Sequence, residues 1–346
     1  MKKLVALLFI ALFSVSAQAL AAGQLSVFMW SEYMDPEIVK SFEARYDIKV
    51  KFDYYESNEE MMAKLQHGGL GLYDVIVPST YAVAGLKKLD LVEPLNHDLL
   101  PNLKNLDRFF TEMEADPGNR YTVPYQWGTS GIGVRTQEAG RLKKSFGLLF
   151  DPNQDLGPFV LFDTGRDAIG SALKYLGYSL NSTNPKEIEE AARLLIETKK
   201  RPTFSGYDGG VGGLNKLMSG VVKAAQIYNG EGVRAHEEDK ELHYILPEEG
   251  GEIWADLVAI PRKAPNLDNA HAFLNYLMEA EVAARVSNYN RYATPVEAAK
   301  AFIAKEDLNS PLMYPSADDL KNREYIKDLG AENRLYDEAW TLIKSR

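Results

Sequence analysis

Rings and carboxylates recur together at the carboxyl ends of the segments that read as strands. Trp30-Ser31-Glu32-Tyr33 follows the first such segment, and Pro78-Ser79-Thr80-Tyr81 follows the third. Asp163-Thr164-Gly165-Arg166-Asp167, Tyr228-Asn229-Gly230-Glu231 and Trp254-Ala255-Asp256 mark later ones, and a loop carries Asn288-Tyr289-Asn290-Arg291-Tyr292. An aromatic face attracts a cation by about 0.5–2 kcal/mol, and a carboxylate accepts a charge-assisted hydrogen bond from an ammonium. An extended apolar chain carrying two or three ammonium groups needs both kinds of group, rings along its methylenes and acids at its amine spacing. Taken singly, Trp30 or Trp254 is more often core than ligand wall. Asp256 is the sharper clue, because it stands two positions after Trp254 in an otherwise apolar strand, where an unpaired carboxylate is costly. Its compensation is either an Arg or Lys of the chain or a bound amine, and the sequence leaves both open.

Catalytic patterns are missing. The five histidines, His67, His97, His236, His243 and His271, make no H-E-x-x-H zinc site. Gly128-Thr129-Ser130-Gly131 has the wrong spacing for a nucleophile elbow. Gly209-Gly210-Val211-Gly212-Gly213 has neither a P-loop lysine nor the dinucleotide spacing, and it reads as a turn before a helix with Leu214, Leu217 and Met218. A binding protein without cofactor or metal is therefore expected rather than an enzyme.

The elements that position these residues alternate, which argues an α/β fold. Strands are expected at Leu25–Trp30, Ile48–Tyr54, Tyr73–Pro78, Gly131–Val134, Phe159–Phe162, Ala224–Tyr228 and Ile253–Pro261. Helices are expected at Pro36–Tyr46, from an Asn58 cap to about Gln66, at Arg166–Leu176, Pro185–Lys199 and Asn266–Met278, and at the C-terminus. Ligands of such sheets sit outside the carboxyl ends of the strands, where the rings and acids collect.

Lys2 and Lys3, the apolar run Leu4–Phe13 and the small residues up to Ala22 have the order of a cleavable secretory signal. The run is shorter than the ~20 residues that span a bilayer. The chain has no cysteine, so neither disulfides nor a lipid anchor at a processing site is available. Loss of the two lysines takes the net charge from −10 to −12. That sign disfavours nucleic acid and suits a cation. The expectation is a periplasmic, monomeric, diffusing protein.

At these residues the chain resembles the periplasmic spermidine/putrescine-binding proteins of bacterial polyamine import systems. The resemblance covers nearly the whole mature chain. It rests on the ordered series Trp30-Ser31-Glu32-Tyr33, Tyr55-Glu56-Ser57-Asn58-Glu59, Tyr73 to Tyr81, Pro124-Tyr125-Gln126-Trp127-Gly128-Thr129, Tyr175 to Ser179, Asn184 to Glu189, Pro247 to Gly251, Trp254-Ala255-Asp256, Tyr314-Pro315 and Gly330. It implies a two-lobed periplasmic binding protein fold of type II kind, with the cleft between lobes joined by crossing strands. Lobe 1 would comprise 23–128 with 254–310 returning to it, lobe 2 would comprise 129–253, and 311–346 would be a C-terminal helical segment packing across both.

The resemblance also implies roles by position. Trp30, Tyr33, Trp254 and Tyr292 would wall the channel, with Tyr228 standing where the family usually has tryptophan. Ser79 and Tyr81 would hydrogen-bond a terminal amine, and Glu32, Asp167 and Asp256 would pair with ammonium groups. Ser31 and Thr164 complete the implied ligand set. Thr164 replaces an acid of the family's spermidine binders, Asp167 a glutamate, and Ile326 a glutamine that holds a terminal amine. The ligand would be spermidine, norspermidine or putrescine, delivered to the membrane permease of an ABC transporter. A polyamine-sensing partner of a membrane receptor is the alternative, since the same clamp serves both.

Overall fold

The structure is a computed structural model and describes residues 23–346; the signal-peptide reading lies outside the described residues. Ten strands are present among them: β1 (Gly23–Trp30), β2 (Ile48–Tyr55), β3 (Val75–Ile76), β4 (Thr122–Arg135), β5 (Phe159–Phe162), β6 (Phe204–Asp208), β7 (Ala224–Tyr228), β8 (Leu242–Ile245), β9 (Gly251–Ala259) and β10 (Arg323–Glu324). They join in the order β2-β1-β3-β9-β4-β7-β5-β6, with β10 beside β9 and β8 beside β4. β1 runs parallel to β2 and β3, and β5 runs parallel to β6 and β7. Between these two parallel groups lie the antiparallel pairs made by β4 and β9.

β4 ties the molecule together. Its first half, Thr122–Thr129, pairs with β9, while Ser130–Val134 pairs with β7. Two main hydrophobic cores lie on either side of this crossing. One gathers Leu25, Val27, Phe42, Val258 and Phe273; the other gathers Ile132, Phe159, Leu161, Ile169 and Leu195. Tyr336 and Ile343 place the closing helix Asn333–Ser345 in the second core. The segment before that helix reaches the first side, where Lys327 pairs with Glu114 at 2.9 Å and Tyr325 packs beside Phe110 and Met113.

Local chemistry accounts for the elements. The helix Pro36–Tyr46 starts on Asp35, whose carboxylate accepts from the Glu37 N–H at 2.8 Å, with Pro36 in the first turn. It buries Ile38 and Phe42 and ends at Asp47 in left-handed backbone. The next helix, Asn58–Lys64, corrects an expectation: Ser57 is its cap, accepting from Glu60 N–H. The Asn58 amide oxygen is occupied elsewhere, by the Ser79 backbone N–H at 3.0 Å.

Three other expectations change. The segment around Gly131–Val134 is only part of the 14-residue β4, whose Pro124 and three glycines resemble breakers. The glycines serve close approach instead: a Cβ on Gly128 would lie 2.5 Å from Trp254 Cζ2. The run Gly209–Gly213 is not a turn, because the helix Gly210–Met218 already includes most of it. A Cβ on Gly212 would lie 2.0 Å from Asp208 Oδ1, so glycine there lets the helix sit against β6. The third strand shrinks to Val75–Ile76, because Pro78 lacks a ladder donor and the Asp74 carboxylate itself takes the Ser26 and Asn266 N–H groups at 2.7 Å each.

Candidate ligand-binding site

A cavity of about 140 Å³ opens where the carboxyl ends of β1, β5 and β7 meet β9. Eleven of the twelve expected residues line it: Trp30, Ser31, Tyr33, Ser79, Tyr81, Thr164, Asp167, Tyr228, Trp254, Asp256 and Tyr292. Glu32 is the exception. The chain takes φ of 54° at Glu32 as it leaves β1, which turns Tyr33 inward and leaves Glu32 exposed. Its charge still reaches the buried Glu231.

The rings form a continuous wall. Phe162 stacks on Tyr228 with centroids 4.9 Å apart, and Tyr228 meets Trp254 edge to face at 5.8 Å. Trp254 meets Tyr292 at 4.9 Å, and Tyr292 meets Tyr33 at 5.9 Å. Such edge-to-face pairs contribute about 0.5–1.5 kcal/mol each beyond their burial. On the side of β1, Trp30 donates its indole N–H to the Val77 carbonyl at 2.9 Å and packs on Tyr55. The Trp254 indole nitrogen is buried without a hydrogen-bond partner among the described residues.

Seven acids share the lining: Glu56, Asp163, Asp167, Asp208, Glu231, Glu252 and Asp256. No Lys, Arg or His lines the cavity among the described residues. Asp163 and Asp208 are balanced from outside, by Lys344 at 2.5 Å and Lys216 at 2.6 Å. Asp256 has no such partner among the described residues. Asp256 accepts hydrogen bonds from Tyr33 Oη at 2.9 Å and Ser79 Oγ at 2.6 Å, and from no cation among the described residues. Burial pushes its carboxyl up to about 6, against the pull of those two hydroxyls. Of the two ways to compensate Asp256, an internal Arg or Lys is thus excluded among the described residues. Glu231, which accepts the Tyr228 N–H at 3.0 Å, is pushed by burial to about 7.

Glu231 and Glu252 are not among the expected ligand residues although both line the cavity. Glu252 had a legible signal. Glu252, Trp254 and Asp256 alternate on β9 and therefore share one face, but a strand begun at Ile253 leaves the first of them out. Glu231 stands in a recognised strand-end motif, and only its burial beneath Tyr228 distinguishes it from a solvated helix-start acid. Ile326 lines a side cavity of about 20 Å³ that shares Phe162, Asp167 and Glu252 with the main one. No group of three or more metal-ligating side chains occurs among the described residues.

Residues 37–311 match the profile of the family described as bacterial extracellular solute-binding protein. The spermidine/putrescine-binding periplasmic protein of Escherichia coli K12 is 35% identical over 322 residues, covering 93% of this chain and 91% of the relative. The putrescine-binding periplasmic protein SpuD of Pseudomonas aeruginosa is 34% identical over 360 residues, covering 96% of this chain and 95% of the relative. Among solved structures, the spermidine/putrescine ABC transporter substrate-binding protein PotD of Streptococcus pneumoniae superposes with a TM-score of 0.79 at 28% identity, covering 93% of this chain and 99% of that one. The chain belongs to the family of bacterial extracellular solute-binding proteins, with the two-lobed periplasmic binding protein fold.

Proposed function

We propose that the protein captures a linear polyamine in the periplasm and presents it to the permease of an ABC importer. One observation carries this reading: Asp256 is buried in a ring-lined cavity with no basic side chain to balance it among the described residues. A buried carboxylate of that kind needs a cation, and the walls suit a slim methylene chain bearing several. The names of the relatives, spermidine/putrescine-binding and putrescine-binding, support the same ligand class.

In this reading Trp30, Tyr33, Tyr228, Trp254 and Tyr292 flank the methylenes and offer their faces to the ammonium groups. Asp256 grips one ammonium, Asp167 holds another, and Ser31, Ser79, Tyr81 and Thr164 complete the hydrogen bonding. The division into lobes follows the crossing strands, with 23–128 and 254–310 on one side and 129–253 on the other. Ligand contacts from both sides stabilise the closed form, and that differential affinity drives closure. The secreted chain works as a monomer that diffuses to its permease.

Deleting the gene and measuring uptake of labelled spermidine and putrescine at sub-saturating concentration tests the transport role. The expected result is loss of most uptake, restored by the wild-type gene. Unchanged uptake in a strain whose protein binds polyamine would reject import and favour sensing.

A further inference from the structure

Asp256 does not stand alone on its strand. Glu252, Trp254 and Asp256 alternate on β9, and all three line the main cavity. The irregularity in the ladder between β9 and β4 falls on the β4 side, between Pro124 and Gln126, so the alternation along β9 runs unbroken. At one end of this row Ser130 Oγ, from the neighbouring β4, donates to Glu252 at 2.5 Å. At the other end Tyr33 and Ser79 hold Asp256, which is 8% exposed. The Trp254 ring fills the interval between the two carboxylates.

That interval has a length. A strand rises about 3.3 Å per residue, so the Cα atoms of Glu252 and Asp256 lie about 13 Å apart. An extended aliphatic chain advances about 1.2 Å per bond, which puts the end nitrogens of spermidine about 11 Å apart and those of putrescine about 6 Å apart. Two carboxylates leaning over Trp254 suit the ends of the triamine. A diamine held at one of them falls short of the other.

The row also has a stop. The cavity behind Glu252 measures about 20 Å³, room for about one water and not for a further length of chain. Arg166 lines it and brings a fixed positive charge. Its hydrogen bonds go to the Lys327 carbonyl, Asn333 and Asn181, and its Nε is buried without a hydrogen-bond partner among the described residues. Ile326 adds an apolar surface there. An ammonium group that passed Glu252 would meet a repelling guanidinium and a side chain with no acceptor. Asp167, from the helix Gly165–Tyr175, lines both cavities as well, so carboxylates from two elements mark the place where the chain ends.

We propose that Glu252 is an ammonium ligand and the length gauge of the cleft: with Asp256 it holds the two charged ends of a triamine across the Trp254 ring, and a diamine gripped by Asp256 stops short of it. Burial and then the neighbouring Asp167 charge push the Glu252 carboxyl well above its ordinary range, a cost that an ammonium group placed against it relieves. This inference rests on the polyamine reading and adds which chain length the site selects and by which residue.

The test is calorimetric titration of wild type, Glu252→Gln and Glu252→Asp with spermidine and with putrescine at pH 8. The spermidine affinity of Glu252→Gln should fall by at least about 10-fold, because a buried partner of an ammonium is removed. Its putrescine affinity should stay within about threefold of wild type, since only a distant charge is lost. Glu252→Asp keeps the charge but withdraws it by one methylene, and its spermidine affinity should lie between the other two. Equal losses for both ligands in Glu252→Gln, or an unchanged spermidine affinity, would overturn the gauge and leave the polyamine reading intact. If Glu252→Gln bound neither ligand, the aspartate variant would decide: a weakened preference for spermidine upholds the gauge, and a wild-type preference overturns it. Failure of the wild type to bind either polyamine would sink both readings.

Discussion

Asp256→Asn is expected to lose tight polyamine binding and, at the same time, to make the empty protein more stable at pH 8. Both effects come from one buried charge. Its hydrogen-bond partners among the described residues are the hydroxyls of Tyr33 and Ser79, which ease the charge without neutralising it. Removing one member of a buried charge pair costs about 2–5 kcal/mol, so affinity should fall by at least about 30-fold. The stability effect has the opposite sign. Burial lifts the Asp256 carboxyl from 3.8 to about 6, so the folded chain holds this proton more tightly than the unfolded chain does. The resulting contribution is fully present below the unfolded value and is lost as pH rises through the folded one. Above pH 6 the native protein therefore carries a burden of up to about 3 kcal/mol that Asn removes. Thermal unfolding of both proteins without ligand should give a higher midpoint for the variant at pH 8 and no such advantage at pH 4. Calorimetry showing affinity within threefold of wild type would remove Asp256 from the site.

Trp254→Leu tests the rings apart from the charges. Trp254 is the central link of the wall, between Tyr228 and Tyr292, and its indole lies against Gly128. A leucine there removes a cation-binding face of about 0.5–2 kcal/mol and frees two neighbouring rings to shift. Binding should weaken about 2- to 30-fold, and stability should fall by about 2–4 kcal/mol from the space left unfilled. Salt dependence separates the two variants. All the acids remain in Trp254→Leu, so its affinity should decline with ionic strength as steeply as that of wild type, whereas Asp256→Asn should show a shallower decline. Equal slopes in all three proteins would contradict this division of labour.

Much of the site was legible because strand ends report it directly. The first strand ends at Trp30, β7 at Tyr228, and β9 carries Trp254 and Asp256 on one face. Alternation in a strand is a strict period, so one recognised member predicts the others. What escaped depended on neighbours far along the chain. Glu32 shares the motif of Trp30 and Tyr33, yet a left-handed turn sends it outward. The course of β4 was hidden because Gly128 looks like a breaker until Trp254, from β9, is seen to fill the space beside it. Nor could spacing reveal that Asp167 and Glu252 line the same two cavities, since a helix and a strand 85 positions apart bring them there. Local periodicity marks which side chains share a face, and tertiary packing decides which faces meet.

The most direct test of the account is the response of the purified protein to chain charge at constant chain length. Calorimetric titration at pH 8 and low salt would compare spermidine with an uncharged diol spanning the same number of chain atoms. The account predicts saturable one-to-one binding of the triamine, weakened by added salt, and no measurable binding of the diol. Comparable affinity for both, or saturation by neither, would contradict the claim that this cleft is built around unbalanced carboxylates awaiting a polycation.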